Sequence, residues 1–181
     1  MEVKILIRDL STKRLMLRKM QDSDSESLFQ IWSNPEVTKF MNIDRFTDKK
    51  QAKEMILLFD KLSQENTAIR YSIIELESNK IIGSCGFNII DYENAKTEIG
   101  YEINKNYWGK GYAPEAVTCL IKYAFNDLKL NRIEAKVQPD NFNSIKVLRK
   151  LNFLFEGKMR KVERSKGRFI DLNLYSLLVT D

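Results

Sequence analysis

The chain has 181 residues, 43% apolar and 30% charged, with 30 Lys and Arg against 25 Asp and Glu, proportions ordinary for a globular protein. That length buries about 70% of the surface an unfolded chain exposes, so one domain over 1–181, with 1–12 as an N-terminal extension, needs no staples. No apolar run approaches the ~20 residues that cross a bilayer, and charge interrupts Met1 to Asp9 too often for a secretory signal, so the expected compartment is the cytoplasm and no membrane partner is expected.

A net charge of +5 suits an anionic cofactor or an acidic partner. Histidine is absent, which removes the commonest general base and the commonest nitrogen ligand, so no metal site is expected. Acid–base work falls to carboxylates, hydroxyls, lysines, cysteines or water. Cys85 and Cys119 lie in apolar segments and read as buried reduced thiols rather than a disulfide.

In chain order, Lys13 to Arg18 alternates as a strand does. Asp22 to Ser33 has helical spacing behind the Asp22-Ser23-Asp24 cap signals and closes at Asn34-Pro35. A second helix is predicted over Thr47 to Leu62, with Ala52, Met55, Ile56 and Phe59 on one face. Ile69 to Glu75 and Lys80 to Ile90 read as a hairpin around Glu77-Ser78-Asn79, and Thr97 to Ile103 as the next strand. Gly100 inside that strand signals a bulge, a close backbone approach or simple tolerance.

Trp108-Gly109-Lys110-Gly111-Tyr112 then separates the strand from a helix over Ala113 to Leu128, with Pro114 in its first turn. Glycines permit positive φ and close approach of a ligand, and the first helical turn presents free N–H groups, so a phosphate or pyrophosphate suits this loop. The alternative is a tight connection whose glycines solve only a steric problem. A strand over Arg132 to Val137, a helix over Asn141 to Leu151, and strands over Phe153 to Val162 and Arg168 to Val179 complete the chain.

These elements, with the blocks Arg14 to Arg18, Glu98-Ile99-Gly100-Tyr101, Trp108 to Ala113, Asn141-Phe142-Asn143-Ser144, Glu156-Gly157 and Tyr175 to Leu178, resemble the GNAT superfamily of acetyl-CoA-dependent N-acetyltransferases, and within it the RimJ/RimL type that acetylates ribosomal proteins. The resemblance implies an α/β (α+β) fold: a single GNAT-like domain with a mixed, mostly antiparallel twisted sheet of about seven strands and about four helices, its central strand splayed at the cofactor site. It implies acetyl-CoA across the strand ending at Ile103, with the pyrophosphate on main-chain N–H groups of Gly109 to Ala113. The implied cofactor contacts are Tyr101, Ile103, Trp108, Gly109, Lys110, Gly111, Tyr112, Ala113 and Asn141. Lys110 reads equally as a solvated loop lysine, and Asn141 equally as a helix cap.

The chain departs from the family at several positions. Asn106 stands where a longer glutamine or arginine is usual. Leu148 stands where many members carry a tyrosine that protonates the departing thiolate; in the RimL type a serine one turn earlier takes that role, here Ser144. Asn152 replaces a glycine but can adopt the left-handed cap.

The implied reaction is direct attack of a neutral amine on a thioester. Glu163, aligned with the RimL-type glutamate, is the first candidate base and Glu98 the second, working through an ordered water; each also reads as a plain surface or strand carboxylate. Ser144 reads as a proton donor or a capping serine. An α-amine of pKa ~7.8 is about one-seventh neutral at pH 7, whereas deprotonating lysine costs roughly 4.6 kcal/mol, so a protein N-terminus is the expected acceptor. The alternative is a small amine or polyamine, to be met by Asp91, Glu93, Glu98 and Glu102. A more distant reading is a nucleic-acid-binding module built on the six basic residues between Lys158 and Arg168. A monomer or a homodimer both fit.

Overall fold

In the computed structural model, which describes residues 7–181, the alternating apolar runs form one eight-stranded sheet in the order β1-β2-β3-β4-β5-β6-β8-β7. The strands are β1 (Leu10–Ser11), β2 (Leu15–Lys19), β3 (Ile69–Glu75), β4 (Lys80–Asp91), β5 (Lys96–Ile103), β6 (Arg132–Val137), β7 (Leu154–Ser165) and β8 (Arg168–Leu178). The α-helices are α1 (Ser25–Trp32), α2 (Pro35–Thr38), α3 (Lys49–Gln64), α4 (Tyr112–Lys122) and α5 (Phe142–Lys150). The strand and the helix beyond the expected numbers are β1, two residues long, and α2, four residues long, both too short to show a period. β1 lies within the stretch read as an N-terminal extension, whose first six residues lie outside the described ones.

Two apolar clusters hold the layers together. On one face, Ala116, Val117 and Leu120 of α4 and Ile145 and Leu148 of α5 pack on Tyr71, Ile73, Cys85, Phe87, Ile99 and Ile133 of the sheet. On the other, Leu28, Ile31 and Trp32 of α1 pack with Ala52 and Ile56 of α3, Met20 and Phe46, and the Trp32 and Phe46 rings meet edge to face at 5.6 Å. Caps set the helix ends. Ser33 closes α1 and Asn34 opens α2, its Oδ1 accepting from the Glu36 and Val37 N–H groups, while Asp48 and Gln51 form a reciprocal capping box on α3. The helix predicted to run to Leu128 is α-helical only to Lys122; Tyr123–Asp127 widens into a π turn before Lys129 leaves it at φ 55°. Of the two thiols, Cys85 is buried and Cys119 only partly so, and both are free.

Every strand pair is antiparallel except β5 with β6. That parallel pairing covers only Lys96↔Arg132, Thr97↔Ile133 and Glu98↔Glu134, after which β5 continues to Ile103 and β6 to Val137 unpaired with one another. A bulge at Asn88, where the β4–β5 register shifts opposite Glu98 and Ile99, falls at the same level. Bulges bend and overtwist the strand that carries them, so β4 bends at the level where β5 and β6 begin to separate. No helix among the described residues is long and apolar enough to cross a membrane.

Glycines in β4 and β5 let backbones and polar groups approach closely. A Cβ on Gly86 would lie 1.9 Å from the Ile69 carbonyl oxygen and 2.9 Å from the Arg70 Cα, both main-chain atoms that cannot swing aside. Gly86→Ala is therefore expected to lower the unfolding free energy by about 3 kcal/mol, read as a lower urea midpoint at an unchanged slope.

Candidate active site

The turn after β5 is built for open backbone. Asn104 Oδ1 accepts from the Asn106 N–H at 3.0 Å and starts a 3-10 turn through Tyr107. Trp108 is extended, and its indole N–H donates to the Ile103 carbonyl at 2.7 Å, sealing the end of β5. Gly109 and Gly111 then take φ of 74° and 80°. Gly109 needs to be glycine for that backbone conformation alone, since an added Cβ would touch nothing within 4 Å. Gly111 is the N-cap of α4 and offers no side chain, so no side-chain oxygen competes for the N–H groups of the first turn, and Pro114 lacks one. The open backbone therefore lies at the positive end of α4, a setting that favours an anion.

Residues of the turn between β1 and β2 brace the loop. Arg14 Nε donates to Glu115 Oε2 at 2.7 Å, its Nη1 donates to the Lys110 carbonyl at 3.0 Å, and its guanidinium lies 4.4 Å over the Tyr112 ring. Thr12 Oγ1 and the Arg14 N–H both donate to Glu115 Oε1, at 2.6 and 2.9 Å. Arg14 thus acts as a strut under the loop, a role with no local sequence signal because its partner Glu115 lies 101 residues away. Tyr112 itself points inward and donates to Glu75, leaving only its main chain at the loop surface. Its phenol is raised above the ordinary range, first by that hydrogen bond. The Lys110 ammonium rests 5.1 Å from the Tyr107 ring centroid.

Across the gap from β5 stands α5. Asn141 caps it, its Oδ1 accepting from the Ser144 N–H at 3.2 Å. The Ser144 hydroxyl sits 2.8 Å from the Tyr101 hydroxyl of β5. Tyr101 and Ser144, read separately as a cofactor contact and a proton donor, are therefore one pair. Asn152 leaves the helix at φ 64°, the left-handed conformation that its sequence position called for.

The candidate bases lie on another part of the site. Glu98 Oε2 pairs with Lys136 of β6 at 2.8 Å, and its Oε1 accepts from Asn88 Nδ2 at 3.3 Å. Lys136 is raised above the ordinary lysine range, first by the Glu98 hydrogen bond, with the charges of Glu98, Glu134 and Glu163 adding to it. Both glutamates therefore act on one ammonium, which the sequence reading had not singled out. Glu163, opposite Ile170 on β7, makes no hydrogen bond or ion pair among the described residues. The hairpin carrying it bulges between Met159 and Glu163, where Lys161 takes φ 48° and its N–H donates to Asp171 Oδ1 at 2.8 Å. At the tip, the Lys166 ammonium donates to the Thr38 and Lys39 carbonyls at 2.6 and 3.2 Å, tying the hairpin to the end of α2. Gly100 is explained by close approach: a Cβ there would meet Asn88 Oδ1 at 2.6 Å and Arg70 Nη1 at 2.9 Å. Among the described residues no group of three or more His, Cys, Asp or Glu side chains is arranged to hold a metal.

Residues 14–154 match the family described as acetyltransferase (GNAT) domain. The chain belongs to the GNAT acetyltransferase family. It is an N-acetyltransferase by that match, and it is 55% identical over 169 residues to an uncharacterized N-acetyltransferase, p20, of Bacillus licheniformis, covering 93% of this chain and 95% of that one. The ribosomal-protein-serine acetyltransferase of Escherichia coli K12 is 29% identical over 103 residues, 57% of this chain and 58% of that one. The solved structure of RimL, a ribosomal L7/L12 alpha-N-protein acetyltransferase in complex with coenzyme A, shares the fold of this GNAT chain at TM-score 0.87 and 23% identity, covering 95% and 98% of the two chains. Members of this family use acetyl-CoA, and the open loop and parted strands fit that molecule in kind.

If Arg14 holds the loop in its binding conformation, Arg14→Ala should weaken coenzyme A binding about tenfold by calorimetry while leaving the far-UV spectrum unchanged.

Proposed function

We propose that this GNAT enzyme acetylates the N-terminal α-amine of a protein. The observation carrying the proposal is the state of the acids on the acceptor side. A polycationic amine needs several free carboxylates, and the four available by sequence are mostly committed elsewhere. Glu102 is buried among Arg70, Ser84 and the Trp32 indole N–H, which donates to it at 2.9 Å. Asp91 accepts from the Asn94 N–H and side chain of its own turn at 2.9 and 2.7 Å. Glu98 is paired with Lys136. The fourth, Glu93, lies exposed in the turn between β4 and β5. Glu163 makes no hydrogen bond or ion pair among the described residues, and one such carboxylate is enough for an amine that is already partly neutral at pH 7. The name of the Escherichia coli relative, a ribosomal-protein-serine acetyltransferase, supports the same acceptor class.

Acetyl-CoA supplies the acetyl group as an activated thioester. Its seat is the main chain of Gly109, Lys110, Gly111, Tyr112 and Ala113, with the β5 edge through Tyr101 and Ile103, the Trp108 ring and the Asn141 amide around it. Glu163 takes the proton of the incoming amine. Lys136 holds Glu98 in place through their ion pair. Ser144 faces the sulfur as hydrogen-bond donor.

The test is thiol release against a panel of N-terminal peptides and small amines, beside intact mass of candidate ribosomal proteins. Peptides and at least one ribosomal protein should be acetylated, and Glu163→Gln should lower kcat by roughly 10²–10⁴-fold with KM kept. Turnover of small amines with no protein acetylated would make this a small-molecule enzyme. Loss in Glu98→Gln without loss in Glu163→Gln would move the base to Glu98.

A further inference from the structure

We infer that Tyr101 is a positioning residue whose phenol fixes the Ser144 hydroxyl so that the serine proton points into the gap between β5 and β6. The inference rests on the reading of Ser144 as the donor to the coenzyme sulfur. It concerns what aims that donor.

A serine in the first turn of a helix has other uses for its proton. The commonest is a bond back to the carbonyl four residues earlier, as Thr118 of this chain makes to Pro114 at 2.7 Å. Ser144 makes no such bond among the described residues, and its N–H is already held by Asn141. The contact left to its oxygen is the Tyr101 hydroxyl at 2.8 Å. One of these two groups must donate. The other acceptor within reach of the Tyr101 proton is the Ser144 carbonyl, at the longer distance of 3.5 Å. Donation from Tyr101 to Ser144 Oγ gives the shorter bond and leaves the serine proton unclaimed.

The phenol suits this work. Burial pushes its pKa up to about 12, against the lowering effect of the Ser144 bond, so Tyr101 stays protonated wherever the enzyme operates. Ser144 is the one hydroxyl residue in α5, and Leu148 one turn later is buried and apolar, so α5 supplies no second donor of this kind. When the C–S bond breaks, its electron pair moves onto sulfur and Ser144 stabilises that charge through a hydrogen bond. No proton leaves the pair. The amine proton goes to Glu163, and the thiolate takes its proton from solvent.

A hydrogen bond aimed at sulfur stabilises the thiolate over the thiol, so bound coenzyme A reports on it without any acceptor amine. The experiment titrates thiolate absorbance of enzyme-bound coenzyme A against pH in wild type, Tyr101→Phe, Ser144→Ala and the double variant. Tyr101→Phe should raise the bound thiol pKa by about 0.5–1 unit, read at saturating coenzyme A. Ser144→Ala should raise it at least as far, and the double variant no further than Ser144→Ala. A shift in Ser144→Ala with none in Tyr101→Phe overturns the inference and leaves the donor role of Ser144 standing. A Tyr101→Phe shift that persists in the Ser144→Ala background overturns it as well, since Tyr101 would then act on its own. No shift in any variant removes the inference together with the assignment of Ser144.

Discussion

The separation of β5 from β6 is the constraint on which the rest of this structure depends. Two parallel strands pair through Glu98 and Glu134 and then part, so the far half of β5 lies beside no neighbour on that side. A sheet interior that leaves backbone groups unpaired carries a free-energy penalty unless something else meets them. Within the chain, the Trp108 indole satisfies the Ile103 carbonyl at the tip. A ligand with its own amides, as the pantetheine arm of acetyl-CoA has, would meet the others. The gap stays open because each side is tied elsewhere. β4 and its bulge hold β5 from one side, and β8 holds the whole length of β6 from the other.

Around that gap the chain divides its charges by function. Positive main-chain ends and the Arg14 strut gather at the start of α4, where an anionic ligand would sit. Among the carboxylates of β4 and β5, Asp91, Glu98 and Glu102 each have a structural partner. Buried charge without a partner is expensive, so Glu102 of β5 and Asp24 at the start of α1 are buried together with Arg70 and Arg18. Glu163, without a hydrogen bond or ion pair among the described residues, sits on a hairpin that Lys166 anchors to α2. The basic residues of that hairpin are partly spoken for in the same way, with Lys158 on Asp171 and Arg164 over the Phe169 ring, which weakens their use as a nucleic-acid surface.

Much of this was legible in the sequence because the governing signals are local. Periodicity located the longer strands and helices, the Gly-x-Gly spacing located the open loop, and Asn152 was correctly read as a left-handed cap. β1 and α2 were missed because two and four residues hold less than one useful period. The π turn at Tyr123 was missed because a widened turn keeps nearly the same apolar spacing as the helix it extends. What was illegible in the site is what depends on contacts between distant residues. Arg14 under the glycine loop, Lys136 with Glu98 and Glu163, and the Tyr101–Ser144 pair all join positions 27 or more residues apart. Glu98 looked available from sequence and is in fact ion-paired, a difference that only the neighbouring strand decides.

The central claim is that the parted strands and the glycine loop form one seat for acetyl-CoA. A groove of about 370 Å³ lined by Arg8, Asp9, Cys119, Lys122, Tyr123 and Asp127, at the other end of α4, offers a competing location. Amide hydrogen exchange with and without coenzyme A separates the two most directly. The account predicts slowed exchange at Gly109 to Ala113 and along β5 beyond Glu98, with the segment around Cys119 unchanged. Protection confined to the segments around Arg8 and Cys119, with the glycine loop unaffected, would contradict it.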